Sequence, residues 1–119
     1  MNYYTGNLIN ETLKNTYYRK VLFTDEKFQL VLMSVQPKQE LGMEIHEDHT
    51  QFIQVVKGEA MAILPWKDGK FQTNVLKDGD AIVIPSGTEH NIVNLSSNRL
   101  QLYSIYTPPE HKPGTLQKY

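Results

Sequence analysis

Four side chains of metal-ligating type are spaced so that a small barrel could bring them together. Glu44 and His46 are two residues apart on a predicted strand, so both side chains leave the same face. Gln51 opens the returning strand of the same predicted hairpin, and His90 follows a tight turn later in the chain. Two imidazoles, one carboxylate and one amide oxygen suit a divalent transition metal, with Fe, Mn, Ni, Co or Zn as candidates, rather than a thiolate-type structural zinc. The set predicts a metal site with positions left open for water or substrate.

Two further histidines and two tyrosines compete for roles at this predicted site. His49 could replace a ligand by pairing with His46, but a three-residue spacing suits a helix better than a strand, and His49 lies in the predicted loop. His111 follows a Pro-Pro pair and is predicted to be an ordinary residue of the C-terminal tail. Tyr103 and Tyr106 lie three residues apart on the last long predicted strand, so at most one of them points inward.

The elements that must position these residues are short strands. Apolar runs separated by turn signals cover most of the chain, and two Asp-Gly pairs (68–69 and 78–79) mark tight turns. The stretch 79–94 has the order strand, turn, histidine, strand, and so presents His90 at the mouth of a small barrel. Without a long helical period, the pattern predicts an all-β sandwich or barrel. Residues 11–17 fit either a helical turn or an extended lead-in to the first strand.

Composition narrows the classes of function. A chain of 119 residues is large enough for one domain with a single core. Twelve basic and thirteen acidic residues give a formal charge of −1, so we expect no nucleic-acid partner and no anionic membrane surface. The absence of cysteine excludes disulfides and thiolate chemistry. The N-terminal residues do not form a secretory leader, which favours a cytoplasmic protein.

The turn around His90 carries a resemblance to a known family. The second signature motif of the cupins reads G-x5-P-x-G-x2-H-x3-N. Every fixed position of that motif is matched, by Gly79, Pro85, Gly87, His90 and Asn94. The chain therefore resembles a small single-domain cupin of the phosphomannose-isomerase-like kind.

The first cupin motif, G-x5-H-x-H-x3-4-E-x6-G, is matched only in part. Counting back from Gly58, Gln51 stands where the glutamate is expected, and His46 and Glu44 stand at the two histidine positions. Gly42 lies near the place of the opening glycine but not at its spacing. The exchange moves the carboxylate without changing the ligand charge, which is typical of a compensated metal site rather than a lost one. Gln51 has an alternative role as an outer-shell residue that orients a ligand.

The resemblance implies a fold and a domain organisation. The expected fold is an all-β cupin double-stranded β-helix, also called a jelly-roll barrel, with a short N-terminal extension. We expect the extension at residues 1–27, the barrel at 28–107 and a C-terminal tail at 108–119. Small cupins are commonly dimers, so the extension is a candidate for exchange in a homodimer by covering an edge strand of the partner.

The resemblance also implies a class of chemistry. We expect a metal-dependent isomerase or lyase acting on a small oxygenated substrate, a sugar or a sugar acid, by Lewis-acid and proton-transfer steps. Glu44, Tyr103 or Tyr106 would move the proton. Two alternatives stay open because one scaffold hosts many chemistries. They are an Fe(II)-dependent dioxygenase and a non-catalytic barrel that binds a metal or a small ligand.

Overall fold

The computed structural model describes residues 2–119. Within them the chain folds into nine strands and two short helices. The elements in chain order are helix α1 (Leu8–Lys14), β1 (Arg19–Thr24), β2 (Gln29–Val35), β3 (Thr50–Lys57), β4 (Ala60–Pro65), a 3-10 helix (Lys67–Gly69), β5 (Phe71–Leu76), β6 (Ala81–Ile84), β7 (Asn91–Asn94), β8 (Leu100–Thr107) and β9 (Leu116–Gln117). Among residues 2–119, no helix combines the length and the apolar character that crossing a bilayer requires.

The strands form two antiparallel sheets. The larger sheet has the order β6-β3-β8-β2-β1-β9, and the smaller one has the order β5-β4-β7. This architecture confirms the predicted all-β jelly-roll barrel. β1 pairs with β2 of the same chain, and β9 pairs with β1, so the segments predicted as extension and tail each add a strand to the larger sheet. Exchange of the extension with a second copy stays a prediction.

The core lies between the two sheets because apolar residues alternate along the strands. Ile53 and Val55 on β3 and Leu102 on β8 point inward, where they join one buried cluster with Ala62 and Ile92 of the smaller sheet. Burying a large aliphatic side chain contributes roughly 1.5–3 kcal/mol. This packing holds the two sheets together at the closed part of the barrel.

Helix α1 covers part of the outer face of the larger sheet. Asn7 caps its first turn by accepting a hydrogen bond from the Asn10 amide at 3.0 Å. Thr12 is buried against the sheet, and Gln101 Nε2 on β8 donates to the Leu13 carbonyl at 2.9 Å. The segment that the sequence left open is therefore helical as far as Lys14.

The segment that carries two of the predicted ligands differs from the prediction. Residues 43–46 do not form a regular strand; only Glu44 makes a β-bridge, with His90. Gly42 adopts a φ of 93° just before that bridge, a conformation that side chains disfavour, and it interrupts the extended backbone. The segment is an irregular strand that lies along β7.

Candidate metal centre

Glu44 and His90 are held opposite each other by their main chains. The Glu44 amide donates to the His90 carbonyl at 2.8 Å, and the His90 amide donates to the Glu44 carbonyl at 2.8 Å. One residue pair thus exchanges both backbone hydrogen bonds of an antiparallel ladder, which fixes its register. The turn that precedes β7 and the irregular segment at residues 43–46 are therefore joined where two of the predicted ligands lie.

Three predicted ligands converge at this bridge. Ligand atoms of Glu44, His46 and His90 all lie within 4.8 Å of one another. His46 Nε2 is 3.1 Å from Glu44 Oε2. Neighbouring ligand atoms of an octahedral ion with bonds of about 2.1 Å are about 3.0 Å apart, so this spacing suits a shared ion. The structure therefore brings together one carboxylate and two imidazoles, as the sequence predicts.

The orientation of His90 leaves one nitrogen for a ligand. His90 is 3% exposed, and its Nδ1 is 2.9 Å from the carbonyl oxygen of Thr88, to which it donates. A neutral imidazole with its proton on Nδ1 has a free electron pair on Nε2. The Thr88 carbonyl thus supplies the outer-shell hydrogen bond that orients a metal-binding histidine.

Gln51 presents an oxygen that lacks a protein partner. It is 1% exposed and faces inward beside Tyr106, its cross-strand neighbour on β8. Its Nε2 donates to Ser104 Oγ at 2.9 Å and to Tyr106 Oη at 3.0 Å, while its Oε1 is buried without a hydrogen bond. An unsatisfied buried acceptor costs about 1–3 kcal/mol. Tyr106 connects Gln51 to His46 of the cluster, and an amide oxygen is a suitable ligand for a divalent ion, so the donor set fits the metal that the sequence predicts.

The two tyrosines of β8 lie on opposite faces. Tyr106 is buried, and the centroid of its ring is 5.8 Å from that of His46. Burial raises the pKa of Tyr106 strongly, and the negative charge of Glu44 raises it further, so the phenol stays protonated and acts as a donor. Tyr103 lies on the outer face beside Phe52 and donates to Gln54 Oε1. Only Tyr106 is therefore next to the cluster.

His49 packs edge-on against His46, with 5.9 Å between ring centroids, and its ring nitrogens contact the C-terminal segment. Its Nε2 is 2.7 Å from Glu110 Oε2, and its Nδ1 is 2.7 Å from the carbonyl oxygen of Pro108. The same Glu110 oxygen is 3.5 Å from His46 Nδ1. A carboxylate therefore lies behind His46, on the side of the ring away from Glu44, where it can orient the imidazole.

The sequence missed His111, which it placed in the tail. Gln29 Oε1 accepts the His111 amide at 2.9 Å, and Gln29 Nε2 donates to the His111 carbonyl at 2.7 Å. The imidazole packs edge-on against Tyr106 at 5.2 Å between centroids, and its Nε2 is buried without a partner. Burial, aided by the positive charge of Arg19, lowers the pKa of His111 to about 4, so the ring is neutral near pH 7. No local sequence signal marks this position.

Arg19 is the second residue that the sequence analysis missed. Its guanidinium carbon is 5.2 Å from the centroid of the Tyr18 ring, and its Nη1 donates to Gln117 Oε1. The positive charge of Arg19 acts on the buried Tyr106 and on His111, opposing the raised pKa of the phenol. One signal could have found it: Arg19 is two residues from the core residue Val21 on one strand, a spacing that puts both on the same face.

Comparison with protein-family models identifies most of the barrel. A model described as "Cupin domain" matches residues 31–106. The matched range runs from β2 to β8 and includes the three clustered ligands and Gln51.

Three individual proteins resemble the whole chain. An uncharacterized protein of Acanthamoeba polyphaga mimivirus is 46% identical over 114 residues, which are 95% of this chain and 70% of the relative. The uncharacterized protein YrkC of Bacillus subtilis (strain 168) is 39% identical over 118 residues, covering 94% of this chain and 61% of the relative. The crystal structure of BH2720 from Bacillus halodurans superposes with a TM-score of 0.92 at 36% identity, covering 97% of this chain and 88% of that one.

Proposed function

The chain belongs to the cupin family, and we propose that it is a metal-dependent enzyme acting on a small oxygenated substrate, a sugar or a sugar acid, as an isomerase or lyase. One observation carries the proposal: the Oε1 of Gln51 is buried without a partner, and Gln51 bonds Tyr106, whose ring packs against His46 in a cluster of one carboxylate and two imidazoles. Since buried acceptors are nearly always satisfied, this arrangement is typical of a site that is completed by a cation.

Four side chains would hold the ion: Glu44, His46, His90 and Gln51. Each has a partner or a packing contact that orients it, such as the Thr88 carbonyl for His90. A bound divalent ion supplies Lewis-acid polarisation of a carbonyl or hydroxyl oxygen. The mixed nitrogen and oxygen set suits Fe, Mn, Ni, Co or Zn.

Proton transfer has a donor and two acceptors in the same place. Tyr106 Oη is the donor, because burial keeps the phenol protonated. The acceptors are the Glu44 carboxylate, whose charge acts on Tyr106, and the neutral imidazole of His111, which packs against the Tyr106 ring. This grouping supports chemistry that moves a proton between atoms of one substrate, as isomerases and lyases do.

The test is the metal content of the purified protein. We expect a stoichiometric divalent metal that is lost in the double variant Glu44→Ala/His90→Ala. The matched control is Glu47→Ala/His49→Ala, which removes the same two side-chain types from the neighbouring loop and should keep the metal. Equal metal content in the two double variants would contradict the proposed site.

The class of reaction needs a second measurement. An isomerase or lyase incorporates solvent deuterium into its substrate or product without consuming oxygen. Oxygen uptake over a panel of enediols and flavonoids, with the metal identified as iron, would instead establish the dioxygenase alternative. A shift in melting temperature with ligand, but without turnover, would establish a binding module.

A further inference from the structure

Strand β5 is an open edge of the smaller sheet. Among residues 2–119 its one strand neighbour is β4, whereas the opposite edge, at β7, is covered by the segment 40–44 through bridges at Val93 and at the adjoining His90. The edge strands of the larger sheet are shorter, because β6 has four residues and β9 has two, against six in β5. Strand β5 therefore offers a longer open edge than either of them.

The backbone groups that face this open edge follow from the register of β4 and β5. The Trp66 amide donates to the Lys70 carbonyl at 2.7 Å, in the register that joins the two strands. Hydrogen-bonded and non-hydrogen-bonded pairs alternate along an antiparallel ladder, so the even-numbered residues of β5 turn their N–H and C=O groups towards β4. The residues that turn these groups outward are Phe71, Thr73 and Val75.

The composition of β5 leaves this edge unprotected. Its six residues, Phe71–Leu76, include no charged residue and no proline, which are the features that commonly protect natural edge strands. Leu76 points into the core, so Phe71 and Val75 lie on the outer face, where they are 50% and 51% exposed. Apolar side chains beside an unpaired backbone edge are typical of a site for strand addition.

We propose that β5 is an interface with a second copy of this chain, in which the two β5 strands pair antiparallel about a two-fold axis at Thr73. The side chains are arranged symmetrically about that residue. An amide lies on either side of it, at Gln72 and Asn74, and an apolar side chain lies beyond each amide, at Phe71 and Val75. The axis places Thr73 opposite Thr73 of the second copy and Phe71 opposite its Val75, an aromatic and β-branched pair. The two three-stranded sheets thereby become one continuous sheet.

The charges that flank β5 suit the antiparallel orientation. Two lysines and one aspartate give the turn before β5 a net charge of +1, and one lysine and two aspartates give the turn after it −1. These exposed residues are Lys67, Asp68 and Lys70 before the strand and Lys77, Asp78 and Asp80 after it. Antiparallel pairing sets the first turn of one copy beside the second turn of the other, so opposite net charges meet at both ends. Since exposed ion pairs contribute little energy, these charges select the orientation, and the strand pairing supplies the affinity.

Single-cysteine variants test the register, because the chain has no cysteine of its own. In the proposed pair the Cα atoms of the two Thr73 residues are about 5.5 Å apart, which lies within the range of about 4.4–6.8 Å that a disulfide spans. Val75→Cys is the matched control on the same open edge, because its two copies are offset along the strands by about 13 Å. We expect mild oxidation to cross-link Thr73→Cys into a dimer at least about tenfold faster than Val75→Cys. Equal rates in the two variants, or no cross-link through residue 73, overturn the proposal.

Sedimentation velocity tests the association without a cross-link. A range of about 1–500 µM protein brackets the weak dimer, with a Kd of roughly 10–100 µM, that we expect from one strand pair, which buries less surface than a standard interface. Thr73→Lys sets two lysines opposite each other at the axis and should weaken the association about tenfold or more. Val83→Lys adds the same charge to β6, at a residue that is 61% exposed, and should keep the parent Kd.

Melting curves establish that both lysine variants are folded; if Thr73→Lys is not, the cross-linking comparison decides. A parent protein that is monomeric over the whole concentration range overturns the proposal. A dimer that Thr73→Lys leaves intact also overturns it, and would favour exchange of the N-terminal extension instead.

Discussion

Gln51 and Tyr106 are cross-strand neighbours on β3 and β8, and Gln51 Nε2 donates to Tyr106 Oη at 3.0 Å. One amide thus has its nitrogen on the phenol and its oxygen free for an ion. In the proposed metal centre, an ion bound by Gln51 Oε1 would therefore be coupled to the hydrogen bonding of the Tyr106 phenol.

Replacing Gln51 should weaken metal binding more than it weakens the fold. Gln51→Met removes the buried acceptor that lacks a partner. The metal-free protein is thereby relieved of the cost of that unsatisfied group, about 1–3 kcal/mol. We expect metal affinity to fall about 10–100-fold and the rise in unfolding free energy on metal loading to shrink. Metal titration and urea unfolding with and without the ion measure both effects. Gln54→Met, on the outer face of the same strand, is the control, and equal losses in the two variants would contradict a ligand role.

Removing the Tyr106 hydroxyl should reduce turnover and leave the metal in place. Tyr106→Phe keeps the ring that packs on His46 and His111 but loses the proton donor. We expect proton exchange on the substrate to slow about 10²-fold or more. Deuterium exchange of sugar-acid C–H groups in D₂O, followed by NMR, measures this rate. Tyr103→Phe removes the same atom from the outer face and should retain the parent rate; a Tyr106→Phe protein with the parent rate would exclude the phenol from catalysis.

The partly buried His111 makes stability depend on pH. Its pKa is lowered on folding from 6.5 to about 4, so between these values the unfolded chain binds a proton that the folded chain does not. The contribution of His111 to stability is complete above pH 6.5 and is lost as the pH falls towards 4. We expect urea unfolding of the parent protein to weaken over this window more than that of His111→Gln. The difference between the two proteins should be constant above pH 7, and a constant difference down to pH 4.5 would disprove the burial of a neutral ring.

Asn94 should prove structural, although it belongs to the same motif as His90. Its side chain is fully buried, donates to the carbonyls of Val35, Gln36 and Asn98, and accepts from Ser96. Asn94→Ala leaves several of these groups buried without partners, which we expect to cost about 2–4 kcal/mol of unfolding free energy. Chemical denaturation measures the loss. The exposed Asn74→Ala is the control, and a loss below 1 kcal/mol would show that water replaces the side chain.

Short sequence patterns predicted the three clustered side chains, because neighbouring residues in the chain position each of them. The turn before His90 and the two-residue spacing of Glu44 and His46 sufficed, even though residues 43–46 are not a regular strand, because the bridge to His90 keeps the segment extended. Arg19 and His111 could not be found in the same way. His111 packs on Tyr106 because Gln29, 82 residues earlier, bonds its backbone, and no local pattern marks that contact. Arg19 has only its two-residue spacing from Val21, which indicates a strand face but not what the side chain meets.

Gln29 would affect the proposed activity without touching a ligand, because it holds the C-terminal segment against the barrel. Its fully buried amide bonds the backbone of Glu110 and His111 and the hydroxyl of Thr24. A mutational scan scored by activity would therefore group Gln29 with the metal ligands, whereas the same scan scored by metal content would not. Residues that affect activity but not metal content would be those that position the C-terminal segment at the site.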